Sequence, residues 1–205
     1  MARRLDVSVP TREQRMGRRL ERELRRSGVA EKGIPGVLDA YRQAMEPRIE
    51  ALDDHHPDFL HPARTVLVLL LDAGVRDAVL LSAAALWESR RPALAVPVAQ
   101  VARRAGAAVG RLVEAVPSPD RGEQLLEDLV ASSPDVLLLA VAEWLDHARH
   151  LHMAPRGEWP SVHAITCNAY AVAARRTGPR LAGRFAFWCR RFAERYLHEA
   201  APRGP

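Results

Sequence analysis

Three short stretches set polar, chemistry-bearing side chains against an apolar background. His61-Pro62 opens one apolar segment, Trp87-Glu88 closes the next, and Glu143-Trp144-Leu145-Asp146-His147 sits in the middle of a third. An imidazole and carboxylates carried by three different buried helices can converge on a divalent cation, which takes nitrogen and oxygen ligands shielded from water. His61, Glu88 and Glu143 are the candidate ligands. His147, His150 and His152 form a second group, and the first two are one helical turn apart. A helix C-terminus also favours histidine through its dipole, and that structural reading is preferred for this trio. The run Asp53-Asp54-His55-His56-Pro57-Asp58 could chelate a cation or complete a site with His61, although a polar turn explains it equally well. Its spacing matches no strong ligand template, and the chain has no glycine-rich phosphate loop and no nucleophile elbow.

The elements that must position these residues read as helices. Thr11 to Ser27 is basic, with Leu20 and Leu24 as its apolar pair and Ser27-Gly28 as its stop. A second helix is expected from about Gly36 to Leu52, kinked or interrupted at Pro47. Val66 to Leu71 and Val79 to Trp87 are apolar on nearly every face, as in helices at the centre of an all-α domain. Pro97 to Ala105 and Ala107 to Val116 hinge at Gly106, and a further helix reaches about Ala131. Pro134 stands in the first turn of a long helix ending near Met153. Pro160 to Thr177 follows, and the last helix runs to about Ala201, burying Phe185, Trp188, Phe192 and Tyr196. The expected division is an N-terminal helical appendage, residues 1–52, and one helical domain, residues 53–201.

The 205 residues are 48% hydrophobic and 27% charged, an ordinary globular composition that excludes wholesale disorder. The uncharged apolar runs, such as Val66 to Leu71, are far short of the roughly 20 residues a membrane span needs. Met1-Ala2-Arg3-Arg4-Leu5-Asp6 leads into charged sequence rather than an export signal. Cys167 and Cys189 are too few for a disulfide framework, so the expected compartment is the cytoplasm. Lys32 is the only lysine, which leaves 29 of 30 basic residues as arginine, within a net charge of +5. Glutamates interrupt the basic N-terminal helix and no aromatic residue is interleaved there, so nucleic acid is not its expected partner. Packing on the domain or self-association is the expected role.

The order of these motifs resembles a known family. His61-Pro62-Ala63-Arg64-Thr65-Val66 is similar to the histidine-proline start of the hydrolase half of RelA/SpoT proteins, an HD-type metal-dependent phosphohydrolase domain. Ser82-Ala83-Ala84-Ala85-Leu86-Trp87-Glu88 sits where that family has Ala-Ala-Leu-Leu-His-Asp. Ala142-Glu143-Trp144-Leu145-Asp146-His147-Ala148-Arg149 sits where it has Ala-Asp-Arg-Leu-His-Asn-x-Arg. Thr166 to Gly178 follows, without a gap, the stretch around its Ile-Tyr-Ala-Pro-Leu-Ala-His-Arg-Leu-Gly. The resemblance spans about residues 55 to 198. It implies an HD-like helical bundle and removal of the 3′-pyrophosphate from (p)ppGpp with manganese.

Residue by residue, the resemblance carries over only in part. His61 matches the first metal ligand, while Trp87 replaces a metal-binding histidine by an indole that has no lone pair to offer. Glu88 and Glu143 replace aspartate ligands by side chains one methylene longer. The acidic pair associated with water activation falls on Arg90 and Arg91, or on Arg91 and Pro92 when counted from the histidine–aspartate pair, and the third motif's asparagine on His147. The expectation is a degenerate, catalytically inactive relative, with Glu88 as a vestige of the catalytic motif and no cofactor required. Arg90, Arg91, His147 and Arg149 would hold phosphate groups by charge-assisted hydrogen bonds, or else be solvated surface charges. Such a protein would act through a guanine nucleotide or a protein partner, another copy of itself included. The rival reading is a metal-dependent phosphohydrolase, with manganese as its cofactor, rebuilt on His61, Glu88 and Glu143, with His147 as an optional fourth ligand. A third is a nucleic-acid-binding helical protein.

Overall fold

A computed structural model of the chain describes residues 10–197, which are helical throughout with no strand among them. The expected end of the last helix at residues 198–201, and the N-terminal stretch Met1-Asp6, lie outside the described residues. None of the described helices is long and apolar enough to cross a membrane.

Helix α1, Arg12–Arg26, begins with a capping box between Thr11 and Gln14 and buries Leu20 and Leu24. It lies on α2, Ile34–Ala51, at a close crossing. A Cβ on Gly17 would stand 3.4 Å from the Tyr41 ring, and the Tyr41 hydroxyl donates to the Glu13 carbonyl at 3.0 Å. Pro47 does not interrupt α2 as its missing N–H predicts; the helix runs through it to Ala51. The apolar face of α2 repeats at Val37, Ala40, Tyr41 and Ala44, and its next position on that face is the buried Arg48.

Helix α3, His61–Leu67, has Pro62 in its first turn and continues as a π-helical turn, Val68–Asp72. Helix α4, Ala78–Leu86, is capped by Asp77, whose carboxylate accepts from Leu80 N at 2.8 Å. Seven of its nine residues are buried, so it forms the centre of the molecule. Helices α5, Val98–Ala105, and α6, Ala107–Ala115, pivot at Gly106, whose φ of +100° suits glycine. Next come α7, Leu125–Ala131, and the long α8, Pro134–His150, with Ser133 as its cap. Helix α9, Trp159–Ile165, runs through a π-helical turn, Thr166–Tyr170, into the short α10, Ala171–Ala173. Gly178, at φ +122°, turns the chain into α11, Pro179–Phe192, and a last π-helical turn, Ala193–Leu197. On α11 Phe185 and Phe192 are buried as expected, whereas Trp188 and Tyr196 are half-buried.

One hydrophobic core joins Leu20 and Leu24 of α1, Val37 and Met45 of α2, Leu81 of α4, Leu139 of α8 and Phe185 of α11. No break in this core falls at residue 52. The two cysteines pair as one disulfide, Cys167–Cys189, with their Cα atoms 5.9 Å apart, which tethers the π-helical turn after α9 to α11.

Candidate metal centre

The core includes a polar island. His61 starts α3, Glu88 follows the end of α4, and Glu143 and His147 lie one turn apart on α8. One ligand atom from each of the four lies within 4.8 Å of the others, and all four residues are buried. The local sequence explains the convergence. Each residue sits on or beside the buried stretch of its helix, and the i, i+4 spacing of Glu143 and His147 puts both on one face.

Each side chain is oriented by a second layer. His61 Nδ1 donates to Asp146 Oδ2 at 2.8 Å, and Arg64 Nε holds Asp146 at 2.9 and 3.0 Å. That contact fixes the His61 tautomer, with Nε2 turned towards Glu143 at 3.6 Å. His147 stacks on His61 with ring centroids 4.1 Å apart, its Nδ1 lying 3.6 Å from Asp58 Oδ1. Glu88 is held through both oxygens. Oε1 accepts the backbone N–H groups of Arg90 and Arg91, each at 3.0 Å, and Oε2 accepts from Arg48 Nη2 at 2.5 Å. Glu143 Oε1 accepts from the backbone and hydroxyl of Ser89 at 3.0 and 2.7 Å.

His147 Nε2 reveals what the arrangement suits. It lies 2.8 Å from Glu143 Oε1 and 3.2 Å from Glu88 Oε1, yet it is a buried nitrogen with no aligned hydrogen-bond partner. An imidazole nitrogen and two carboxylate oxygens are thus gathered out of water at one place, as ligands of an ion are. Two imidazole nitrogens and two carboxylate oxygens fit a borderline divalent cation such as manganese, iron or zinc.

Electrostatics agree with this reading. Burial would push the Glu143 and Asp146 carboxyls up, but the neighbouring imidazoles, with Arg64 beside Asp146, hold both well below the usual range. Asp58 is likewise held low, by His147 and Arg91. Burial disfavours a charged His147, but Glu143, Asp58 and Glu88 outweigh it and raise its pKa well above 6.5. His61 is raised too, against burial and against His147, by Glu88, Asp146 and Glu143. With neutral imidazoles, the carboxylates of Asp58, Glu88, Glu143 and Asp146 exceed the guanidiniums of Arg48, Arg64 and Arg91 by one charge. The island therefore attracts either protons or a cation.

His147 belongs both to the four-residue cluster and to the lining of the cleft beside it, while the Trp87 indole N–H is buried without a partner. Arg90 and Arg91 line that cleft, of about 550 Å³, together with His147, His56, Asp58, His150 and Glu158. Arg90 is paired with Glu158 at 2.7 Å and Arg91 with Asp58 at 2.5 Å. Arg149 is not brought there, because it pairs with Asp72 at 3.0 Å outside the cleft. Asp53, Asp54 and His55 are exposed, and His152 stacks on Tyr196 away from the island.

Sequence reasoning missed Arg48, Ser89 and the orienting role of Asp146. Arg48 carried a readable signal, since it continues the apolar face of α2 where a charge requires a buried partner. No protein-family model and no curated protein matches this sequence.

Proposed function

We propose that this chain is a divalent-metal-dependent phosphohydrolase, a relative of the RelA/SpoT HD domain whose centre has been rebuilt on His61, Glu88, Glu143 and His147. The observation that carries the reading is the convergence of these four buried ligand atoms within 4.8 Å, each oriented by its own partner. A histidine lost to Trp87 on one helix is replaced by a histidine on another. A divalent cation bound there supplies a polarised water near neutral pH. The protein's own groups do the rest. Asp146 and Asp58 hold the two imidazoles in orientation, and Arg48 and Ser89 hold the carboxylates. Arg90 and Arg91 stand at the cleft wall, where a phosphate can exchange with Glu158 and Asp58 for their guanidiniums. Pro57, Leu151 and Val162 give that cleft an apolar side that excludes water from a bound nucleotide.

A second reading, a nucleotide binder without turnover, draws on a different observation. Both Glu88 oxygens already accept hydrogen bonds, and Arg90 and Arg91 occupy the places where the resembled family has its acidic pair. No unpaired carboxylate lines the cleft to manage a proton.

One experiment separates the two. Metal content is measured on purified protein, and phosphate or pyrophosphate release is followed with (p)ppGpp and nucleoside di- and triphosphates in the presence of manganese. Turnover abolished by His61→Ala supports the phosphohydrolase. Bound metal and nucleotide without turnover supports the second reading, and a protein that takes up no metal refutes the first.

A further inference from the structure

Aromatic residues are scarce in this chain, 11 of 205, and they should be needed in the core. Four of them, Phe187, Trp188, Phe192 and Tyr196, line a groove of about 470 Å³ along α11, Phe192 from within the core, Trp188 and Tyr196 half-buried and Phe187 in solvent. Phe187 is 57% exposed there, the most exposed large apolar side chain among the described residues. The remaining lining is cationic or imidazole: Arg149, Arg191, Arg195 and His152. None of these residues belongs to the cleft beside the metal centre.

We propose that this groove binds a single strand of nucleic acid, with bases stacked on Phe187 and Trp188 and phosphates held by the arginines. The spacing is that of one helical stripe: Arg184, Phe187 and Trp188, Arg191, then Arg195. From Arg184 to Arg195 the stripe extends roughly 16 Å at the rise of a helix, longer than one nucleotide. Its acidic partners are weak competitors. Arg191 pairs with Glu194 at 3.1 Å and Arg184 with Asp72 at 3.2 Å, and each arginine is about 60% exposed, so phosphate can replace the carboxylate. Packing fixes the groove wall, since Trp188 lies at 25° to Phe192 and 36° to His163, and His152 is near-parallel to Tyr196, while Phe187 is left exposed beside them. A duplex hides its base faces and leaves Phe187 unused, and an acidic peptide uses the arginines alone. A single strand uses both.

The test is anisotropy of a fluorescent oligothymidylate of about 12 nucleotides against the full chain, from about 50 to 200 mM salt. The expected result is micromolar binding with a log–log salt slope of about −2, from three arginine contacts. Phe187→Ala should weaken binding at least about fivefold with an unchanged melting temperature, since the side chain is exposed. The Arg191→Gln/Arg195→Gln pair should flatten the salt slope by about 1.4. Absence of binding at low salt overturns the proposal. So does binding that both variants leave intact, or tighter binding to a duplex or to phosphatidylglycerol vesicles.

Discussion

Burying three carboxylates beside two imidazoles, with the half-buried Asp58 next to them, is unfavourable unless each charge finds a partner. In the metal-free protein those partners include protons on His61 and His147, whose folded pKa values lie above the ordinary 6.5. A raised value stabilises the fold fully below about pH 6.5 and ceases to do so as pH rises through the folded values. The carboxylates work in the opposite sense. Their depressed values stabilise the fold above about pH 4 and lose that effect as pH falls through the folded values. Chelator-treated protein should therefore show a urea midpoint that falls between pH 6 and 9. Saturating manganese should remove that fall, because a cation needs neutral imidazoles and replaces the protons. A midpoint independent of pH in the metal-free protein would show that the imidazoles are not charged there.

The second helix and the end of the central helix meet through one buried ion pair, Arg48–Glu88, with both side chains almost fully shielded. Arg48→Met leaves Glu88 as a buried charge without its cation and should cost about 3–5 kcal/mol in urea unfolding. Adding Glu88→Gln should recover a large part of that loss, since the amide needs no counter-charge. If the single change costs under about 1 kcal/mol, the pair does not hold these elements together. This pair also marks the limit of what the sequence discloses. The helices were legible from apolar periodicity, glycine stops and Pro62 and Pro134 in first turns, because those signals are local. Three of the four cluster residues were legible as polar residues interrupting buried stretches. The i, i+4 spacing of His147 from Glu143 is local, but its stacking on His61 depends on how α3 packs against α8, which no local signal encodes. Pro47 misled for the opposite reason: packing of the buried face of α2 outweighs one missing hydrogen bond.

At the scale of the molecule, one core includes α1 and α2, and α2 supplies Arg48 to the polar island. A fragment of residues 53–205 should then lack a cooperative urea transition, since it loses the buried face of α2 along with Leu20 and Leu24. A sharp transition for that fragment would show an independent domain beginning near residue 53. The four ligands are drawn from α3, α8 and the segment that follows α4, which only the complete core brings together, so the island is a property of the whole fold. Crystals grown with manganese and measured at an anomalous wavelength test that island most directly. One peak is expected, within bonding distance of His61 Nε2, Glu88, Glu143 and His147 Nε2, and absent from His147→Ala. A map without that peak, or a peak that the His147 variant retains unchanged, would contradict the rebuilt centre.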